Sequence, residues 1–239
     1  MIHAMILAVA TQATGAKPIR HLDYHFGISV QTTDTHHVSG IGGGPISGVL
    51  NSNTSGSTEG SISVDVVGLR ADGGLVVNVL ETSRQIPHAD SMQCITWGVG
   101  TVVCEPGKHA SPEEEALLRY LGRYFVNPAM IDQNNDWKIG TSAKDESETT
   151  DYHIASNDGG VMAISFQRVS TMPGVQGFTA TTDGKLTYDS NLSVPRAISE
   201  DTLLRTSLVS GSVEQGGYEQ VRTMLNLQLL DDSMARKSP

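Results

Sequence analysis

The chain has 239 residues, of which 38% are hydrophobic and 18% charged, and its formal net charge is −10. This acidic balance argues against a nucleic-acid partner and against an anionic membrane surface, since both require basic patches. No run of 18 apolar residues occurs, so no transmembrane helix is predicted.

The N-terminus carries a short apolar run from Ala4 to Ala10, with a further small residue at Ala13. The run resembles the end of a secretory signal, although its basic region is missing because the first basic residue is Lys17. The alternative is a first β-strand. We expect residues 1–16 to be a signal-peptide remnant or a disordered N-terminus, residues 17–232 a single β-rich domain, and residues 233–239 a polar tail.

Apolar and polar residues alternate over residues 21–31, which predicts a strand with one apolar face. His21 and His25 lie on its polar face. As metal ligands they would need a further partner such as His36 or His37. We interpret them as solvated polar residues and expect no metal site.

Two polar segments and one glycine-rich segment lie between residues 34 and 60. Residues 34–37 are predicted to form a turn, and residues 51–60, which are rich in Ser, Thr, Gly and Asn, a mobile loop. Residues 39–48 are rich in glycine but lack the helix start or Lys-Ser/Thr of a phosphate-binding loop, so a flexible or bulged connection is expected.

A hairpin containing both cysteines is predicted over residues 93–105. A three-residue loop at residues 98–100 places Cys94 opposite Cys104, whereas a two-residue loop would pair Cys94 with Val103 on opposite faces. Gly100 suits the left-handed position that the longer loop needs. We therefore predict a Cys94–Cys104 disulfide, the alternative being two reduced thiols. With the signal remnant, this indicates an extracytoplasmic protein, periplasmic or secreted, from a bacterial envelope.

An amphipathic helix is predicted over about residues 112–125. Ser111 is a suitable N-cap, Pro112 fits the first helical position, and Glu114 completes a capping box. A lone helix cannot bury an apolar face by itself, so the stripe must lie on a sheet. The stripe consists of Leu117, Leu118, Leu121, Tyr124 and Phe125.

Strand patterns dominate the rest of the chain, and no βαβ period is present. The predicted fold is therefore mainly β: one large antiparallel, curved sheet or half-barrel with the single helix packed on its face. Residues 144–150 are expected to be polar and exposed. Strands are expected over residues 62–69, 75–80, 137–142, 152–156, 161–169, 178–188, 198–208 and 221–229.

No nucleophile elbow, Walker loop, zinc-helix motif or kinase signature occurs. We expect no catalytic residue and no cofactor. The alternative is a hydrolase whose paired carboxylates come from separate strands.

The architecture resembles the half-barrel carriers of the periplasm and cell envelope, which bind lipids or lipoprotein acyl chains in an apolar concavity. The Gly42–Pro45 stretch, the helix at Pro112 and the closing strand from Tyr218 also resemble uncharacterised secreted bacterial all-β proteins. The chain departs from the carriers in having one helix where they use several.

This resemblance implies an apolar ligand, such as a lipid or acyl chain, between sheet and helix. The binding residues would then be Leu117, Leu118, Leu121, Tyr124 and Phe125. The alternative is a structural or protein-interaction module in which the same residues form a closed core.

Overall fold

The computed structural model describes residues 18–39, 47–83, 90–98, 100–122, 125–142, 147–172, 178–209 and 216–234. These residues form eleven β-strands and one α-helix. They are β1 (Arg20–Ser39), β2 (Ser47–Leu69), β3 (Leu75–Ser83), β4 (Met92–Thr96), β5 (Val102–Cys104), α1 (Pro112–Arg119), β6 (Asp136–Ser142), β7 (Ser147–Asp158), β8 (Val161–Thr171), β9 (Thr179–Asp189), β10 (Val194–Val209) and β11 (Gly216–Met234).

All eleven strands belong to one antiparallel sheet in the order β5-β4-β3-β2-β1-β11-β10-β9-β8-β7-β6. Each strand lies beside its neighbour in sequence, except that β1 pairs with β11 and that β5 and β6 lie at the two open ends. The segment joining these two ends carries α1. The mainly β fold class is therefore confirmed, as one antiparallel sheet whose end strands β5 and β6 do not pair with each other among the described residues. Within the described part of the chain, no helix has the length and apolar character needed to cross a bilayer.

The helix-side face of the sheet carries the core. Alternate residues of β1 point into it, so that Leu22, Tyr24 and Phe26 are fully buried. Neighbouring strands add residues of matching register, such as Val64 opposite Leu22 and Leu227 opposite Phe26. The other face of β1 carries polar residues, as the alternation predicts.

Two polar segments form strand rather than turn or loop, so the predictions for residues 34–37 and 51–60 are wrong. β1 and β2 pair without interruption from Arg20 opposite Val66 to Ser39 opposite Ser47. Cross-strand side chains reinforce the ladder, with Thr35 donating to Asn51 at 3.1 Å. Because the two segments satisfy each other's backbone groups, pairing prevails over their loop-like composition.

Residues 147–150 also depart from the expected exposed segment. They begin β7, and Thr150 is buried on the helix-side face. The glycine-rich connection falls mostly at residues 40–46, outside the described residues.

The cysteine hairpin is confirmed. Cys94 pairs with Cys104, and the two form a disulfide. Gly98 and Gly100 have φ values of 70° and 81°, the left-handed region that glycine enters at little cost.

Reduction of this disulfide should lower the stability of the protein. Cross-linking residues ten positions apart removes chain entropy from the unfolded state, which is worth about 2–3 kcal/mol for so short a loop. Chemical denaturation with and without reductant measures the effect. The Cys94→Ala/Cys104→Ala double variant is the control and should not respond to reductant. An equal midpoint for the wild type in both conditions would contradict the expectation.

Helix α1 begins as predicted and ends earlier. Ser111 and Glu114 form the capping box, with Glu114 N–H donating to Ser111 Oγ at 3.1 Å. The helix stops at Arg119 rather than near residue 125. Beyond it the backbone of Gly122 bonds to other elements, since its N–H donates to the Ser193 carbonyl and its carbonyl accepts from the Tyr188 hydroxyl. These tertiary bonds replace the next helical turn.

Candidate functional site

The apolar stripe predicted to bind a ligand lies between α1 and the sheet. Leu117, Leu118, Leu121 and Phe125 are each at most 2% exposed, whereas Tyr124 lies outside the described residues. The Phe125 ring makes edge contacts with four other aromatic rings, namely Tyr120, Trp137, Tyr152 and Tyr188. In this packing, a ligand would reach these side chains only after displacement of the helix, and their role in binding stays a prediction.

A buried ionic cluster lies where α1 ends over the sheet. It consists of Arg119 and Tyr120 from the end of the helix, Glu148 from β7, Arg168 from β8 and Glu200 from β10. Arg168 Nη2 lies 2.6 Å from the Tyr120 hydroxyl and 3.1 Å from Glu200 Oε1, and Arg119 Nη1 bonds to Glu148. Two cations therefore face two anions in an environment with little water.

The cluster is buried, and its bonds extend to adjacent residues: Arg119 also donates to Glu115, and Glu148 accepts from Ser170. Arg119 Nε and Arg168 Nε have no hydrogen-bond partner among the described residues. Arg119, Arg168 and Glu200 are at most 8% exposed. Burial lowers the pKa of Arg168, but the Tyr120 hydroxyl and the two carboxylates outweigh it and raise that pKa overall. Burial holds the pKa of Tyr120 well above its usual range. Glu148 and Glu200 are two carboxylates from separate strands, but guanidinium groups engage both, and these ion pairs secure the helix to the sheet.

The opposite face of the sheet carries a groove that crosses six strands, from β7 to β1. This cross-strand groove has a volume of about 570 Å³. Its floor consists of two cross-strand rows of residues in register. One row contains Ala163, Thr187, Ala197, Gln228 and His25, and the other contains Ser165, Lys185, Ser199, Asn226 and Gly27. Five strand spacings of about 4.8 Å make the groove roughly 24 Å long.

Small side chains create the groove, because alanine, serine and glycine occupy half of the positions in the two rows. The next row outward contains larger side chains, including Gln167, Asp183 and Met224. Two ionisable groups lie in the groove, His25 and Lys185. Among the described residues, neither makes an ion pair or a side-chain hydrogen bond. Much of the groove lining is therefore carbon, with an unpaired lysine ammonium beside it.

His21 lies on the same face, near the start of β1, between two carboxylates. Its Nδ1 is 2.7 Å from Asp65 and its Nε2 is 3.0 Å from Asp23. The Asp65 hydrogen bond raises the pKa of His21; partial burial opposes this and Asp23 adds to it. In the described part of the chain, no group of three or more His, Cys, Asp and Glu side chains is arranged to hold a metal ion.

The raised His21 pKa gives a pH-dependent contribution to stability. This contribution is fully present below the unfolded-state pKa of about 6.5 and disappears as pH rises through the folded-state pKa. Because the side chain is 37% exposed, we expect less than about 1 kcal/mol. Unfolding free energies at pH 6 and pH 8.5 should differ less in His21→Gln than in the wild type, with the exposed His25→Gln as control. An unchanged difference in His21→Gln would contradict this assignment.

The sequence matches no protein-family model and no curated protein. A solved structure that describes lipid–protein interactions in lipovitellin aligns with 94% of this chain. The TM-score is 0.45 and the sequence identity is 8%. The aligned region is 26% of that chain, so this protein spans about a quarter of its length.

Proposed function

We propose that this protein binds a single-chain amphiphile with an anionic head, of the fatty-acid type, in the cross-strand groove. The observation that carries the proposal is the groove itself, a depression of about 570 Å³ with small aliphatic residues along its floor. Its volume falls in the usual range for small-molecule sites. The proposal keeps an apolar ligand but moves it from the packed helix interface to the opposite face of the sheet.

The groove is suited to an extended apolar chain. Ala155, Ala163 and Ala197 offer methyl groups along its length. A ligand that covers this carbon surface removes it from water, which stabilises the complex by about 25 cal/mol per Å² buried before the costs of binding are subtracted.

The charges at the groove favour an anionic head. Lys185 projects from β9 in the middle of the second row, without an ion-pair partner among the described residues. A carboxylate placed beside it would form a charge-assisted hydrogen bond. An extracytoplasmic location is part of the proposal, and the Cys94–Cys104 disulfide supports it because such bonds persist in oxidising compartments.

Isothermal titration with dodecanoate below its micelle concentration tests the proposal. Ala163→Trp fills the groove from an exposed position and should weaken binding at least about tenfold, which corresponds to about 1.4 kcal/mol. Val169→Trp is the matched control, since Val169 lies on the same face of β8 outside the groove. Absence of binding to the wild type, or equal loss in both variants, would overturn the proposal.

The role of Lys185 is tested separately with a neutral ligand. Lys185→Met should weaken dodecanoate binding at least about tenfold, because a hydrogen bond to a charged group contributes about 1.5–3 kcal/mol. Binding of dodecanol should change little, since that ligand has no charge to lose. An equal effect on both ligands would show that Lys185 does not recognise the head group.

The second candidate is a closed-core module that binds a protein partner. The complete burial of Leu117 and Leu118 favours it, since no apolar ligand is then needed to fill the space under the helix. This candidate predicts that neither dodecanoate nor dodecanol binds. It also predicts that Ala163→Trp leaves the stability of the protein unchanged.

A further inference from the structure

A second cavity lies on the helix-side face, beside the start of α1. Its volume is about 380 Å³. Aliphatic side chains from β1, Ile28 and Val30, form one part of its wall, and Glu81 and Glu113 form another. The cavity therefore combines carbon surface with carboxylate oxygens, and it is separate from the groove on the other face.

Three carboxylates lie together at this end of the helix. Glu81, Glu113 and Glu114 are each at most 9% exposed. Burial raises the pKa of Glu81, with the neighbouring Glu113 adding to the effect, and the pKa of Glu114 is raised in the same way. The helix N-terminus supplies only about half a positive charge, so the cluster keeps a net negative charge.

Glu113 differs from the other two carboxylates in its contacts. Glu81 accepts a hydrogen bond of 2.6 Å from the Ser111 hydroxyl, and Glu114 accepts one of 2.9 Å from the Ser111 backbone. Glu113 makes no hydrogen bond or ion pair with any described residue, although it is 91% buried and lines the cavity. Its carboxylate oxygens still touch solvent, so a cation in the cavity can reach them and form a charge-assisted hydrogen bond.

The residues that line the cavity indicate which kind of cation it can bind. The described residues contain no group of ligating side chains arranged for a metal ion. The aliphatic wall from Ile28 and Val30 favours a ligand with a short hydrocarbon body, and the volume is near the lower end for small-molecule sites. We propose that this cavity binds a small aliphatic amine, whose ammonium group contacts Glu113 and Glu81 and whose carbon chain lies against Ile28 and Val30.

Titration of the isotope-labelled protein with n-butylammonium chloride, followed by NMR, tests the proposal. Saturable shifts are expected at the Ser111 and Glu113 amides, and n-butanol at equal concentration should not produce them. Glu113→Gln should weaken binding at least about tenfold, as expected for loss of a charged hydrogen-bond partner.

Glu59→Gln is the matched control because it makes the same change of charge in β2, where Glu59 lies opposite Gly27 on the helix-free side. Its affinity for n-butylammonium should equal that of the wild type. The proposal is overturned if n-butylammonium gives no saturable shifts, if n-butanol gives the same shifts, or if Glu59→Gln and Glu113→Gln weaken binding equally. Unfolding midpoints of the two variants, which should stay close to the wild-type value, verify that the fold is retained.

Discussion

Replacement of Arg168 by methionine should lower the free energy of unfolding by about 3–5 kcal/mol. The substitution keeps most of the side-chain volume but leaves Glu200 buried without its guanidinium partner, and removal of one member of a buried ion pair has this magnitude. It also removes the 2.6 Å bond to the Tyr120 hydroxyl, and with it a link between α1 and β8. Urea denaturation monitored by tryptophan fluorescence measures the loss.

Two further variants separate this effect from a general effect of removing arginine. Arg222→Met breaks an exposed pair with Asp201 and should change stability little, because solvent screens that pair. Arg168→Met/Glu200→Gln removes the unpaired charge and should recover part of the loss. If Arg168→Met is as stable as Arg222→Met, the cluster does not secure the helix to the sheet.

Gly184→Ala should destabilise the protein by about 3 kcal/mol, although it adds one methyl group. Gly184 lies opposite Phe166 in the β8–β9 ladder, and a Cβ atom there would be 2.0 Å from Phe166 Cζ. The ring cannot move away easily, since Tyr120 and Tyr152 lie within 5.7 Å of its centroid. Overpacking of this kind in a buried site usually costs about 1–3 kcal/mol. Thermal and urea denaturation both report it.

The steric origin of this loss can be verified with two variants. Gly56→Ala is the control, because nothing lies within 4 Å of a Cβ atom at that position. Phe166→Leu in the Gly184→Ala background should be less harmful than Phe166→Leu alone, with a coupling energy of about 1–3 kcal/mol. Additive effects of the two substitutions would show that the Phe166 ring does not fill the space above Gly184.

The sequence predicted those parts of the fold that depend on local patterns. Alternation over residues 21–31 identified the core face of β1, and the Ser111–Glu114 capping box located the start of α1. The loop length between the cysteines was enough to predict their pairing. In each case, the side chains that decide the structure lie within a few residues of one another.

Local sequence patterns did not predict the structure at places where contacts between distant segments determine it. The apolar spacing over residues 117–125 also fits a continued helix, and only the bonds of Gly122 to Ser193 and Tyr188 show why α1 ends early. Residues 34–37 and 51–60 have loop-like composition but pair with each other as strands. Tertiary contacts thus outweigh local propensity at both places.

Prediction of the candidate sites would have required the strand register of the whole sheet. The ionic cluster combines side chains from β7, β8 and β10 with the end of the helix. The cross-strand groove depends on six strands bringing small residues into two rows. Small side chains scattered over more than 200 residues give no periodic signal of their own.

Photocrosslinking with a dodecanoate analogue that carries a diazirine on its chain tests the central claim most directly. After irradiation and digestion, mass spectrometry locates the adducts. The proposed function predicts adducts in β8, β9 and β10, around Ala163, Lys185 and Ala197, which unlabelled dodecanoate suppresses. Adducts concentrated on the α1 stripe, at Leu117, Leu118 and Leu121, would contradict the groove and place the ligand between helix and sheet. Labelling that unlabelled dodecanoate does not suppress would contradict specific binding at either place.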